Sequence, residues 1–297
     1  MRSSIRPQKR TFFLYLAPGT LLYAFTTFLP IAFAVYYGFF NWKGGKNMTF
    51  IGLKNYQMLM KDTGFWDAFQ NNIYLVVACL IGQIGFALLF AILLNSRFVK
   101  FKGIHRTFGY FPVTVSAVVV GFVWGMIYDY NYGLLNNVLR LIGRGDLAQA
   151  WLNDAKNVMF YATIPLIWQY IGYYMIILLS AFAAIDKQIF EMSEIDGASG
   201  WKKALYITIP LLKNTLLVCV TLCIAGNLKA FDHIYTLTAG GPGTASNVVA
   251  YYAYNTSFIR YKMGYGNAMS IMILILSVIL IAGSRFIISR FTTKEAV

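Results

Sequence analysis

The chain has 297 residues, of which 58% are hydrophobic, 17% aromatic and only 12% charged. A soluble domain carries roughly 25% charged residues, so most of this surface faces something other than water. The net charge of +14 lies in short clusters between apolar runs, which argues against a phosphate-tracking nucleic-acid face and suits the way a membrane protein orients itself.

Arg2, Arg6, Lys9 and Arg10 open the chain and precede an uncharged run over 11–42. Ala32-Phe33-Ala34 mimics a signal-peptide cleavage site. The run is much longer than the roughly 7–15 residue core of such a peptide, so an uncleaved first helix is expected. A membrane helix needs about 20 mostly apolar residues. Runs of that length place spans at about 12–40, 70–95, 108–128, 158–184 and 266–288. A shorter run continues through Lys229 and places another at 214–237, while Gly-Gly-Pro-Gly at 240–243 marks a loop. In the third span Gly121 and Gly125 have the spacing of close helix contact, within the bundle or against another subunit.

With the N-terminus inside, the inner segments hold fifteen Lys and Arg against nine in the outer ones. This bias puts both termini in the cytoplasm. The expected fold class is all-α: a polytopic membrane protein with six transmembrane helices. Cytoplasmic tails at 1–10 and 291–297 flank one membrane domain over 11–290. Cys79, Cys219 and Cys223 lie in apolar runs with no His or acid at ligand spacing. They read as small buried hydrophobes, and no metal site is expected.

One segment stands apart. Between Asp186 and Lys203 lie four acids and three lysines, and topology puts this loop, 186–213, in the cytoplasm. Ile185, Ile189 and Met192 recur at helical spacing and define an apolar face, with Lys187, Glu191 and Glu194 opposite. Gly197 can end that helix. Ser199-Gly200 is a turn, a second short helix follows from Trp201 to Tyr206, and Pro210 suits the first turn of the next element. A helix lying on anionic lipid should be rich in Lys and Arg. This one is acid-rich, which favours a docking surface for a protein.

Polar and aromatic groups inside spans are the other candidates. The fourth span carries Trp168-Gln169-Tyr170-Ile171-Gly172-Tyr173-Tyr174. These residues either line a pathway, where aromatic faces stack on sugar rings, or pack as core or belt; their depth is too great for an inner belt. The fifth carries Asn227, Lys229 and Asp232. Lys229 either pairs with an acid such as Asp232 or binds an anionic sugar. His105 and His233 have no partnered nucleophile and read as structural.

The loop Glu191-Met192-Ser193-Glu194-Ile195-Asp196-Gly197-Ala198, with Ile207-Thr208-Ile209-Pro210 downstream, resembles the cytoplasmic "EAA" loop of binding-protein-dependent ABC importer permeases. Met192 and Ser193 replace the two alanines of that pattern. Leu237 to Gly243, LTAGGPG, resembles the signature after the fifth span of sugar-importing permeases of the maltose and glycerol-phosphate type. PIAFAVYYGFFNW and FIGLKNYQMLM resemble the end of their first span and the segment behind it. The resemblance covers nearly the whole chain and implies the type I ABC importer permease fold.

It also implies a division of labour in a bacterial cytoplasmic membrane. Two homologous permeases, here as a heterodimer, form the pathway; an ATPase dimer docks beneath; an extracytoplasmic solute-binding protein delivers a carbohydrate. Glu191, Asp196, Gly197, Ala198, Gly200 and Pro210 would couple to the ATPase. Sugar-contacting positions would fall at Tyr170, Gly172, Cys223, Gly226, Asn227 and Ala230, with Tyr173 in the same aromatic run. The small Gly226 and Ala230 suggest room for an oligosaccharide or bulky sugar. The chain has no GxxxxGK[ST] phosphate loop, since Gly45-Lys46 is followed by Asn47. The permease itself is therefore expected to be no enzyme and to bind no cofactor, with ATP and Mg held by the partner ATPase. The rival is an ion-gradient-driven secondary transporter, which needs titrating acids inside spans; only Asp232 comes near.

Overall fold

The computed structural model describes residues 9–96, 99–198 and 200–293. The expected tails and the turn residue Ser199 fall wholly or partly outside them. Among the described residues four helices are long and apolar enough to cross a membrane, or up to six if each of two bent helix pairs counts as one span. Packing divides the chain into two units, one within Met1–Asp62 and Ala253–Leu274, the other within Thr63–Tyr252 and Ile275–Val297.

The first unit begins with α1 (Lys9–Gly38), which contains Pro18 and Pro30. Phe13, Leu14, Tyr15, Leu22 and Phe25 are among its many exposed apolar side chains, a surface suited to lipid or a protein neighbour. A hairpin follows, β1 (Phe40–Trp42) pairing antiparallel with β2 (Met48–Phe50), and then α2 (Lys54–Met60). Asn55 on α2 is buried and donates to the Gly38 and Phe40 carbonyls at 2.8 and 3.0 Å. This amide supplies partners to carbonyls where the helix gives way to the hairpin. The final helix, α15 (Met263–Thr293), begins in this unit, where the Tyr265 hydroxyl donates to Asp62 at 2.6 Å.

The second unit is built around α8 (Val158–Ala183). α3 (Thr63–Cys79) continues through one π-helical turn, Leu80–Ile84, into α4 (Gly85–Asn95). Leu75, Cys79, Ala87, Ala91, Leu166, Met175 and Leu178 form its core. The expected third span is two helices, α5 (Lys102–Thr114) and α6 (Ala117–Tyr128), bent by 98°. A short α7 (Leu134–Leu141) follows outside it.

Beyond α8 come α9 (Lys187–Ile195), α10 (Gly200–Lys203), a π-helical turn at Ala204–Thr208, α11 (Ile209–Leu211), α12 (Lys213–Asn227), α13 (Asp232–Leu237) and α14 (Val249–Tyr254). The stretch expected as one span over 214–237 is thus interrupted. The apolar pair is Ala204–Leu211 with Lys213–Asn227, bent by 69°, and the chain leaves helical geometry between Asn227 and Asp232. Gly226, Asn227 and the charged Lys229 are poor residues with which to continue an apolar helix. Single turn bonds, Lys229 N–H to Gly226 O and Ala230 N–H to Asn227 O, carry the backbone across.

Close helix approach replaces the hydrophobic effect as the packing force inside a membrane. A Cβ at Gly172 would overlap the Gly109 carbonyl and Tyr110 Cα, so α8 and α5 touch backbone to backbone there. At Gly121 a Cβ would overlap the Thr236 side chain, so α6 packs closely against α13 within the bundle there.

Candidate functional site

Two groups of residues in the second unit are candidates for function. The first is the polar corner formed by α9 and α10. The Asp186 carboxylate accepts from the Gln188 N–H at 3.0 Å and starts α9. Gly197, at φ +77, ends it: Ala198 N–H bonds Ser193 O at 2.9 Å across the left-handed residue, the closure a Schellman turn requires. Gly200 also has positive φ, +54, and starts α10. Pro210 lies in α11, directly after the π-helical turn Ala204–Thr208.

Lys203 reaches back to α9, its Nζ 3.4 Å from the Phe190 carbonyl and 5.0 Å from the Phe190 ring centroid. Ser193 is buried and its hydroxyl donates to Phe190 O at 2.7 Å. The apolar face differs from expectation at one place. Phe190 packs on the core, and Met192, two residues on and so on the opposite side of the helix, points outward at 57% exposed. Glu191, Asp196, Gly197, Gly200 and Pro210 are exposed, as is Ile195 at 85%, while Ala198 is half-buried. The corner therefore offers acids and apolar side chains together on a braced frame. The side chains of Lys187, Glu194 and Trp201 lie outside the described residues.

The second group is a seam of amides inside the bundle. Gln83, on the π-helical turn between α3 and α4, donates to Leu166 O at 3.0 Å. Its Oε1 lies 3.4 Å from both the Cys223 Sγ and the Asn227 Nδ2, and the Asn227 amide also donates to Cys223 O at 2.8 Å. Asn72 donates to Asn227 O at 3.2 Å and accepts from Val249 N–H at 2.7 Å. Its neighbour Asn71 donates to the Ala245 and Asn247 carbonyls. These amides hold the buried end of the Gly-Gly-Pro-Gly loop, in which the Ser246 hydroxyl bonds Gly241 O at 2.6 Å. Gln169 donates to Val115 O at 2.8 Å, at the bend between α5 and α6, and meets His233 at 2.6 Å.

The expected pathway residues divide. Cys223, Asn227 and Ala230 are buried, and the first two spend their polar groups on Gln83 and on α12 itself. Gly172 is filled by the α5 backbone. Tyr170 is half-buried with its ring 6.4 Å from His233, and Tyr173 packs edge-on against Tyr174. Trp168 leaves this group and joins Trp124. Gly226 and Lys229 face outward, and a side chain at Gly226 would meet open space. Lys229 and Asp232 form no ion pair with each other. All three cysteines are free and buried, and no metal-binding cluster exists among the described residues.

Gln83, Asn71 and Asn72 went unnoticed in the sequence. Their signal was there: amides inside uncharged runs, where an unpaired polar group is costly, and in the case of Gln83 a site of helix widening.

Residues 83–293 match the family described as "Binding-protein-dependent transport system inner membrane component". The chain is 34% identical over 269 residues to "Probable ABC transporter permease protein PH1215" of Pyrococcus horikoshii, covering 90% of this chain and 92% of that one. It is 29% identical to "Probable starch degradation products transport system permease protein AmyD" of Thermoanaerobacterium thermosulfurigenes, covering 90% of each. Its fold matches a chain of the crystal structure of a bacterial alginate ABC transporter in complex with an alginate pentasaccharide-bound periplasmic protein. That match has a TM-score of 0.83 at 22% identity, over 96% of both chains.

Proposed function

Because the chain belongs to the family of inner membrane components of binding-protein-dependent transport systems, we propose that it is a carbohydrate-importing permease subunit that works with a second permease and a separate ATPase. The permease role in an ABC importer follows from the family and its relatives. The carbohydrate, the ATPase contact and the pairing with a homologous, non-identical permease are our reading.

The observation that carries it is the corner at α9 and α10. Glu191 and Asp196 stand exposed beside Met192 and Ile195, on a helix closed by Gly197 and braced by Lys203 against Phe190. Exposed acids around apolar anchors suit a basic, apolar cleft on a soluble partner. A rigid helix pair can pass that partner's movement into α8 and α12, between which it is strung. In this scheme the ATP and Mg stay in the ATPase, and Glu191 meets one of its basic groups.

A relative named for the transport of starch degradation products, and the alginate transporter that shares the fold, support a carbohydrate. The outward Gly226 and half-buried Tyr170 and Tyr173 supply open space and aromatic faces for an oligosaccharide or bulky sugar. Cys223, Asn227 and Ala230 would stand behind that surface in this conformation.

The test is uptake into proteoliposomes holding the complete transporter. Uptake of a labelled oligosaccharide should require ATP and the external binding protein. Glu191→Lys should leave assembly intact and separate ATP hydrolysis from uptake. Uptake driven by an ion gradient without ATP would overturn the proposal in favour of a secondary carrier.

A further inference from the structure

The hairpin of the first unit has a locked base and a basic tip. At the base, Asn55 holds the Gly38 and Phe40 carbonyls, and the Phe40 carbonyl lies against Gly264 of α15, where a side chain would not fit. Trp42 stacks on Tyr37 with ring centroids 4.3 Å apart and donates to Gly45 O at 2.8 Å. Gly44, at φ +96, turns the chain under the Met263 side chain.

The tip encloses an open cleft of about 310 Å3 lined by Asn41, Lys43, Gly45, Lys46, Asn47 and Thr49. No acid lines it. Both lysines are exposed, and neither has an ion-pair partner among the described residues. From Phe39 to Asp62 the chain carries four lysines against one aspartate, and that aspartate accepts from Tyr265. Met48 and Phe50, on the strand beside the cleft, are exposed.

We infer that this hairpin docks an acidic patch of the external solute-binding protein, carboxylates entering the cleft between Lys43 and Lys46 while Met48 and Phe50 supply apolar contact. The inference rests on the permease reading above, which puts the outer end of α1 on the side where that protein arrives. Two features favour a protein. The locked base removes ordering cost from docking. Amide, hydroxyl and ammonium donors flanked by a Met and an aromatic match the mixed make-up of protein interfaces.

The experiment measures ATP hydrolysis by the complete transporter in nanodiscs, titrated with the binding protein of the same system. Lys43→Glu with Lys46→Glu should leave basal hydrolysis unchanged and raise the half-stimulating concentration by roughly tenfold at low salt. The gap should narrow at high salt, since rim charges act through screened attraction. Lys43→Arg with Lys46→Arg should stay close to the unmodified transporter. An unchanged half-stimulating concentration on charge reversal overturns the inference and leaves the permease reading standing. An effect that follows the anionic-lipid content of the nanodisc overturns it in favour of headgroups. A transporter that its binding protein does not stimulate at all overturns the permease reading and this inference with it.

Discussion

His233 Nε2 and Gln169 Oε1 stand 2.6 Å apart, both residues buried. Because the Gln169 amide nitrogen already donates to Val115 O, its oxygen is the acceptor and His233 Nε2 carries the proton. One glutamine on α8 thereby ties the bend between α5 and α6 to the start of α13. Replacing Gln169 by Leu leaves the Val115 carbonyl and the His233 N–H without this partner. The expected loss is about 0.6–3 kcal/mol, the span from a typical membrane hydrogen bond to an unsatisfied buried group. It should appear as a lower melting temperature of the purified protein; an unchanged one would show the bond to be idle.

Asn72 is the second tie. Its oxygen is the acceptor for Val249 N–H, and both residues are buried. Asn72→Leu should cost about 1–3 kcal/mol. Hydrogen exchange over residues 240–252 should speed up in the variant, with α4 and α8 unaffected. Equal protection in both proteins would refute the role.

Two glycines separate packing from pathway. Gly172→Val forces a side chain into the Gly109 carbonyl, and overpacking of this kind costs about 1–3 kcal/mol. The folded yield should drop. A Cβ at Gly226 meets nothing within 4 Å and the position is exposed, so the Gly226→Leu protein should fold normally. If the outward face of α12 lines the pathway, uptake of a trisaccharide should fall more than uptake of a disaccharide. Equal uptake of both by the Leu variant would remove Gly226 from the pathway.

The corner at α9 gives a graded pair. Gly197 sits at φ +77, a conformation that costs a β-branched residue about 1–3 kcal/mol. Gly197→Val should loosen the end of α9 and reduce the sugar moved per ATP hydrolysed, with the assembled complex still recovered on gel filtration. Glu191→Lys should reduce it further, because a reversed charge opposes docking while a loosened turn only slackens it. Full coupling in both variants would count against the corner as the contact.

Much of this was legible in the sequence. The apolar runs, the loop at 240–243 and the turn at Gly197 rest on local rules: run length, charge and the conformational freedom of glycine. The polar segment stood out because acids and lysines between Asp186 and Lys203 interrupt an uncharged chain. What misled was periodicity in a short helix, which put Met192 on the inward face, whereas Phe190 packs on the core and Met192 is exposed. Spacing orders positions around a helix but does not say which of two neighbouring apolar side chains finds room.

By itself the sequence determined that this chain is a helical membrane protein with a polar corner between its fourth and fifth apolar stretches. Hydropathy, run length and charge bias are properties of the chain read in one dimension, and the bilayer enforces them whatever the packing. Only the tertiary structure decided that Gln83 meets Asn227, that Asn72 meets Val249 and that Gln169 holds two bends at once. Those partners lie tens to more than a hundred residues apart, and an amide in a dry interior takes whichever partner the packing of apolar helices brings within reach.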